Sequence, residues 1–191
     1  PVTLGREFSA YASAVARDRW RIYKIVERLR EVNLGGTAVG TGMLAPRQYI
    51  FKVVEELKRI TGFPLARAEN LVDATQNADL LVEVHGFLAS LTATLIKLSG
   101  DLRFLSSGPE GGVAEIRLPA VQSGSSIMPG KFNPVIPEFV TACCLRVQAN
   151  QLLVGQAAAM GHLELNPFMP VMVHALLESM LLLEGACGAL S

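Results

Sequence analysis

Residues 67–105 read RAENLVDATQNADLLVEVHGFLASLTATLIKLSGDLRFL, a stretch without proline whose apolar residues cover most of the helical circumference. A surface helix needs one apolar stripe, whereas a helix apolar on most sides is enclosed by neighbours. At about 1.5 Å per residue a single helix of this length would exceed about 50 Å, so the pattern predicts a long rod buried along its whole span. The small hydroxyl residues Ser90, Thr92, Thr94 and Ser99 fit close packing between helices.

Helical patterns flank this rod on both sides. From Leu4 to about Val32, the residues Phe8, Tyr11, Val15, Ile22, Ile25, Val26 and Leu29 recur at steps of three and four, which places them on one helix face. Gly35 and Gly36 stop that helix, and Gly35 to Gly42 is a glycine-rich connection. A second helix starts near Pro46, runs through Ile50, Val53, Val54, Leu57 and Ile60, and ends at Gly62 and Pro64. Beyond the rod, Ser106 to Gly112 breaks the helix and Ala114 to Leu118 is predicted as a short extended piece. A fourth helix is expected from Pro137 to about Met160, with Gly161 as its C-cap. Asn166-Pro167 and Pro170 precede a last helix from about Val171. The fold class is therefore all-α, a bundle of long helices joined by glycine-rich loops.

Half of the residues are hydrophobic, only 18% are charged and the mean hydropathy is +0.36, more apolar than a soluble monomer of 191 residues needs. Membrane insertion and burial between subunits both account for such an excess. Glu178 and Glu184 interrupt Val171 to Leu190, and no stretch offers the roughly 20 clean apolar residues of a span, so burial between subunits is preferred. The chain begins at Pro1-Val2 and stops at Ser191 after an apolar run, and it is read as an excised segment of a larger subunit. With 17 basic and 17 acidic residues there is no electrostatic footprint for nucleic acid. The basic residues from Arg17 to Arg30 interleave with Asp18 and Glu27, as on a solvated helix face. Three cysteines, Cys143 and Cys144 adjacent, form neither a disulfide framework nor a zinc spacing, which fits a reducing, cytoplasmic setting. His85, His162 and His174 are not spaced as metal ligands and read as structural; no metal or cofactor is expected.

The chemistry concentrates in one irregular run, Gly124-Ser-Ser-Ile-Met-Pro-Gly-Lys-Phe-Asn-Pro134. Two hydroxyls, a cation and an amide between glycines can present an alkoxide candidate, a carboxylate anchor and hydrogen-bond donors to a small acidic substrate. The run is not a phosphate loop. Five residues separate its glycines, and Phe132 stands where such a loop needs a hydroxyl for magnesium. Gly36 to Gly42 is likewise not read as a dinucleotide fingerprint, because the pattern ahead of it predicts a charged amphipathic helix and not a strand or βαβ unit.

The run from Gly124 to Pro134 closely resembles the signature of the fumarase and aspartase superfamily. Val2-Thr-Leu-Gly-Arg-Glu-Phe8, Gly35-Gly-Thr-Ala-Val-Gly-Thr-Gly42, Ser106-Ser-Gly-Pro109 and Leu163-Glu-Leu-Asn166 support it in the family's order and approximate spacing. Leu71 to Asp79 and Asn133 to Glu138 resemble the aspartate ammonia-lyase branch more than the fumarase branch. The resemblance implies a central helical-bundle domain over residues 1–191, truncated at both ends, with a glycine-rich segment at 106–136 that carries the loop. It further implies a homotetramer formed through the bundle and a dicarboxylate substrate, with elimination of ammonia from L-aspartate to give fumarate. By the same transfer Ser125 is the base, Ser126, Lys131 and Asn133 bind substrate, Glu138 supports the site, and Gly124 and Gly130 are loop hinges.

Three positions depart from the family's pattern: Phe132 and Ser123 in the loop, and Pro167 beyond it. None removes a functional group. The family builds each active site from three regions on different subunits, and only the third is present, so the segment alone is expected to be inactive. The alternatives are a fumarate hydratase or another succinyl-group lyase, and, in a different class, a non-catalytic helical oligomerisation core.

Overall fold

The computed structural model describes residues 1–191. Six helices occupy Leu4–Ile25 (α1), Arg47–Thr61 (α2), Leu71–Gln76 (α3), Asp79–Leu105 (α4), Val135–Ala158 (α5) and Met169–Leu190 (α6). The only sheet pairs Glu31–Val32 (β1) in parallel with Ala66–Arg67 (β2). The all-α expectation holds.

Local chemistry moved several boundaries. The rod expected over 67–105 is interrupted at Asn77-Ala78, leaving α4 with 27 residues, about 40 Å. Asn70 explains the short helix ahead of it, since its side chain accepts from the Val72 and Asp73 amides and starts α3 there. Asn77 ends α3 with its own amide on Asp73 O and its side chain on Asp73 Oδ1, at 2.7 Å. The first helix stops at Ile25, not Val32; a 3-10 turn follows at Arg28–Arg30, and Glu31 and Val32 are extended and pair with β2. The extended piece at 114–118 is not a strand: Ala114 is left-handed at φ 50°, and the Glu115 and Ile116 amides both bond Leu105 O. Pro46 and Gly62 bound α2 as expected, Gly62 in left-handed conformation with its amide on Lys58 O. Gly161 does not cap α5, which ends at Ala158.

The chain divides into two compact units. The first comprises residues 1–18, 88–150 and 178–191, and it buries Leu91, Leu95, Val140, Cys144, Val147, Leu183 and Ala186. Most of its polar interior is paired, Ser99 Oγ being the exception. Asp18, expected on a solvated face, is only 1% exposed and accepts from Thr94 Oγ1 at 2.6 Å and Ser90 Oγ at 3.4 Å. Two of the hydroxyls expected to be packing elements thus solvate a buried carboxylate. Glu178, one of the charges that interrupts α6, takes a fork of bonds from Arg146 and a 2.8 Å bond from Asn150.

The second unit comprises residues 19–87 and 151–177, with Ala78, Ala157 and Met172 at its core and Leu81, Phe168 and Met169 packed around them. Its glycine-rich connection is a close-packing element. A Cβ on Gly40 would lie 2.4 Å from Leu71 O and Val72 Cα, so the backbone segments touch directly.

By length and hydropathy alone, α4 and α6 are each long and apolar enough to cross a membrane, with one third of the most apolar window buried in each. The expectation that no stretch qualifies does not hold on those two measures.

Candidate active-site loop

The signature run folds as a pinched loop at the foot of α5. Ser123 and Phe132 form an isolated antiparallel bridge, and the Gly124 amide donates to Lys131 O at 2.8 Å. A Cβ at position 124 would lie 2.6 Å from that carbonyl, so glycine is required for the two arms to close. Gly130 is left-handed at φ 79°, and the Lys131 amide returns to Met128 O, which turns the chain back toward the bridge. Pro134 O then accepts from the Glu138 amide in the first turn of α5. Gly124 and Gly130, the expected hinges, stand at the base and in the turn from Met128 to Lys131 that leads back to it.

Within the loop, Ser125 Oγ accepts two backbone amides, from Ile127 at 3.1 Å and from Met128 at 3.3 Å. Two N–H dipoles aimed at one hydroxyl oxygen favour negative charge on it. Ser125 is half-buried, whereas Ser126 and Lys131 are exposed. The exposed Ile127, Met128 and Phe132 make the loop's outer surface apolar.

Asn133 faces a different feature, a cavity of about 510 Å³ shared with Ser106, Arg117, Gly130 and Phe132. Ser125, Ser126 and Lys131 do not line it. Glu138 lies exposed on α5 with its carboxylate 3.7 Å from Arg103. The structure keeps these residues on one ribbon, of which Gly130, Phe132 and Asn133 line the cavity and Ser125 does not. Sequence reasoning passed over Arg103 and Arg117. Arg117 sits between Ile116 and Leu118, so a lone cation in an apolar segment was the available signal.

The residues read as structural are widely placed. His85 is fully buried, and burial holds its imidazole below the usual range. His162 exchanges backbone bonds with Leu165, and His174 is exposed on α6. Asn166 is a clamp: its Nδ2 donates to Ala157 O and Ala158 O at the end of α5, and its Oδ1 accepts from the Phe168 amide ahead of α6. A second polar cluster lies where Tyr11 donates to Asp101 at 2.8 Å and Lys97 bridges Asp101 and Glu7. Burial and its carboxylate neighbours push the Tyr11 hydroxyl well above its usual range.

Fold and loop together define an all-helical protein with a polar, glycine-pinched loop at the base of one long helix. Residues 1–149 match the family described as Lyase, and the chain belongs to that family, of the fumarase and aspartase type. It is 46% identical over 187 residues to the aspartate ammonia-lyase of Escherichia coli (strain K12), covering 98% of this chain and 39% of that enzyme. The structure of fumarate lyase:delta crystallin from Brucella melitensis bound to cobalt matches 97% of this chain and 40% of its own, with a TM-score of 0.93 and 48% identity. Class II fumarase from Schistosoma mansoni matches 99% of this chain and 43% of its own, with a TM-score of 0.89 and 32% identity. The chain spans well under half the length of these relatives.

Proposed function

We propose that this chain supplies the signature-loop part of an ammonia-lyase active site that converts L-aspartate to fumarate. Removing a proton from Cβ, beside the β-carboxylate, is the hard step, because that carbon is a very weak acid. Ser125 Oγ as alkoxide takes the proton, and the electron pair moves onto the carboxylate as an enediolate. The pair then returns to form the Cα–Cβ double bond as the Cα–N bond breaks and ammonia leaves. Donors aimed at the enediolate oxygens contribute most of the rate.

The observation that carries this reading is the pair of amides, from Ile127 and Met128, on Ser125 Oγ. An alkoxide needs such dipoles to exist near neutral pH, and the apolar side chains of the same loop exclude water when it closes over substrate. In this reading Ser126 donates to the developing enediolate and Lys131 and Asn133 hold carboxylate oxygens. Gly124 and Gly130 are the hinges, and Glu138 supports the site from α5. The greater identity to the ammonia-lyase, 46%, than to the fumarase, 32%, favours ammonia over water as leaving group.

A second component of the reading concerns assembly. Leu145 and Leu152 on α5 and Leu177 and Leu181 on α6 are more than half exposed, and helices of this character bury such residues against further copies in a homotetramer. The three cysteines are unbridged, which suits a reducing cytoplasm. The 191-residue segment alone is inactive in this reading, because the remaining parts of each site come from other regions and subunits.

The test is Ser125→Ala in the intact protein. General-base removal is expected to lower kcat roughly 10²- to 10⁴-fold with the far-ultraviolet dichroism unchanged. Turnover at the wild-type rate would remove Ser125 as the base.

A further inference from the structure

We infer that Arg117 is a specificity-determining residue that holds, together with Asn133, one carboxylate of the substrate. This rests on the lyase reading above. Arg117 is placed by a strap of backbone bonds. Ser107 Oγ accepts from the Val113 amide, Ser107 O accepts from Ala114, and Leu105 O accepts from Glu115 and Ile116, so 113–116 is fixed to the end of α4. The next residue, Arg117, then borders the cavity of about 510 Å³ that also takes in Ser106 and Asn133.

The cavity's chemistry selects an anion. Its walls are largely apolar, through Ile116, Leu118 and Phe132, no carboxylate lines it, and Arg117 is its only charged side chain. No ion pair or side-chain hydrogen bond engages that guanidinium within the chain. Arg103, by contrast, faces Glu138 and Lys97 faces Asp101 and Glu7, so those two cations are already matched, and Lys131 does not line the cavity. A guanidinium and an amide on one cavity with apolar walls give a fork and a further donor to a planar carboxylate, which fits a dicarboxylate better than an uncharged analogue.

The experiment compares Arg117→Gln and Arg117→Lys with wild type in the intact protein, by steady-state kinetics with aspartate and inhibition by fumarate. Losing a charge-assisted bond should raise KM and the fumarate inhibition constant in parallel, roughly ten- to a hundredfold in R117Q, with kcat changed less than about threefold. R117K should recover part of the loss. A structural role would instead lower kcat or the melting temperature with KM unchanged, and that outcome overturns the inference. So does inhibition by fumarate that is not competitive with aspartate, which would place the anion at a separate site. If the wild type turns over neither aspartate nor malate, the lyase reading fails, yet succinate binding by calorimetry still decides Arg117. Loss of binding in R117Q supports the assignment, and equal binding removes it.

Discussion

Gly40 and Gly62 both hold left-handed backbone, at φ 84° and 72°, but their surroundings differ. Around Gly62 a Cβ would meet nothing within 4 Å, so Gly62→Ala costs only the conformational penalty, about 1–2 kcal/mol. At Gly40 the same atom would press into Leu71 O and Val72 Cα at 2.4 Å, both backbone and unable to swing aside. Gly40→Ala is therefore expected to cost at least a further 1–3 kcal/mol. Urea unfolding of the two variants checks this, and equal midpoints would contradict the packing role of the 35–42 connection. At the same scale, Ser125 is singled out by the resemblance of its loop to the family signature, not by the glycines around it. That its oxygen collects two amides was not legible in the sequence, since it depends on the turn made by residues 125–128. Asp18 was misplaced for a similar reason. Its arginine neighbours in sequence are exposed, while the hydroxyls that solvate it stand on α4, more than 70 residues away.

Among the elements, α5 and α6 are joined by a link that depends on one side chain. Asn166 is 7% exposed and takes up two carbonyls at the end of α5 and one amide ahead of α6. Asn166→Ala leaves those buried groups without partners and is expected to destabilise by about 1–3 kcal/mol, read as a lowered melting temperature. Asn166→Asp should be at least as harmful, because it replaces a donor with charge facing two carbonyls. A melting temperature unchanged in both variants would show that water serves these groups equally well. Long helices were legible from periodicity, but their ends were not. Asn70 and Asn77 are compatible with a helical pattern and reveal themselves as cap and stop only through the bonds they make. Val32 likewise continues the apolar spacing of α1, yet lies beyond the helix and pairs with Arg67 as a strand. The cavity beside the signature loop was beyond sequence reasoning altogether, since Arg117 and Asn133 come together only through the strap on the end of α4.

For the molecule as a whole, the excess of apolar residues foreseen from composition is real and much of it is on the surface: Leu152, Leu177, Met180 and Leu181 are each at least half exposed. Exposure on that scale across long helices is what subunit burial removes. Sedimentation equilibrium of the intact protein should give four times the protomer mass, and a monomer at micromolar concentration would contradict assembly through the bundle. The identity of the reaction is the central claim, and the direct measurement is fumarate release, followed by absorbance, from L-aspartate and from malate side by side. The account predicts rapid fumarate formation from aspartate with little from malate. Fumarate from malate and none from aspartate, or from neither, would contradict it.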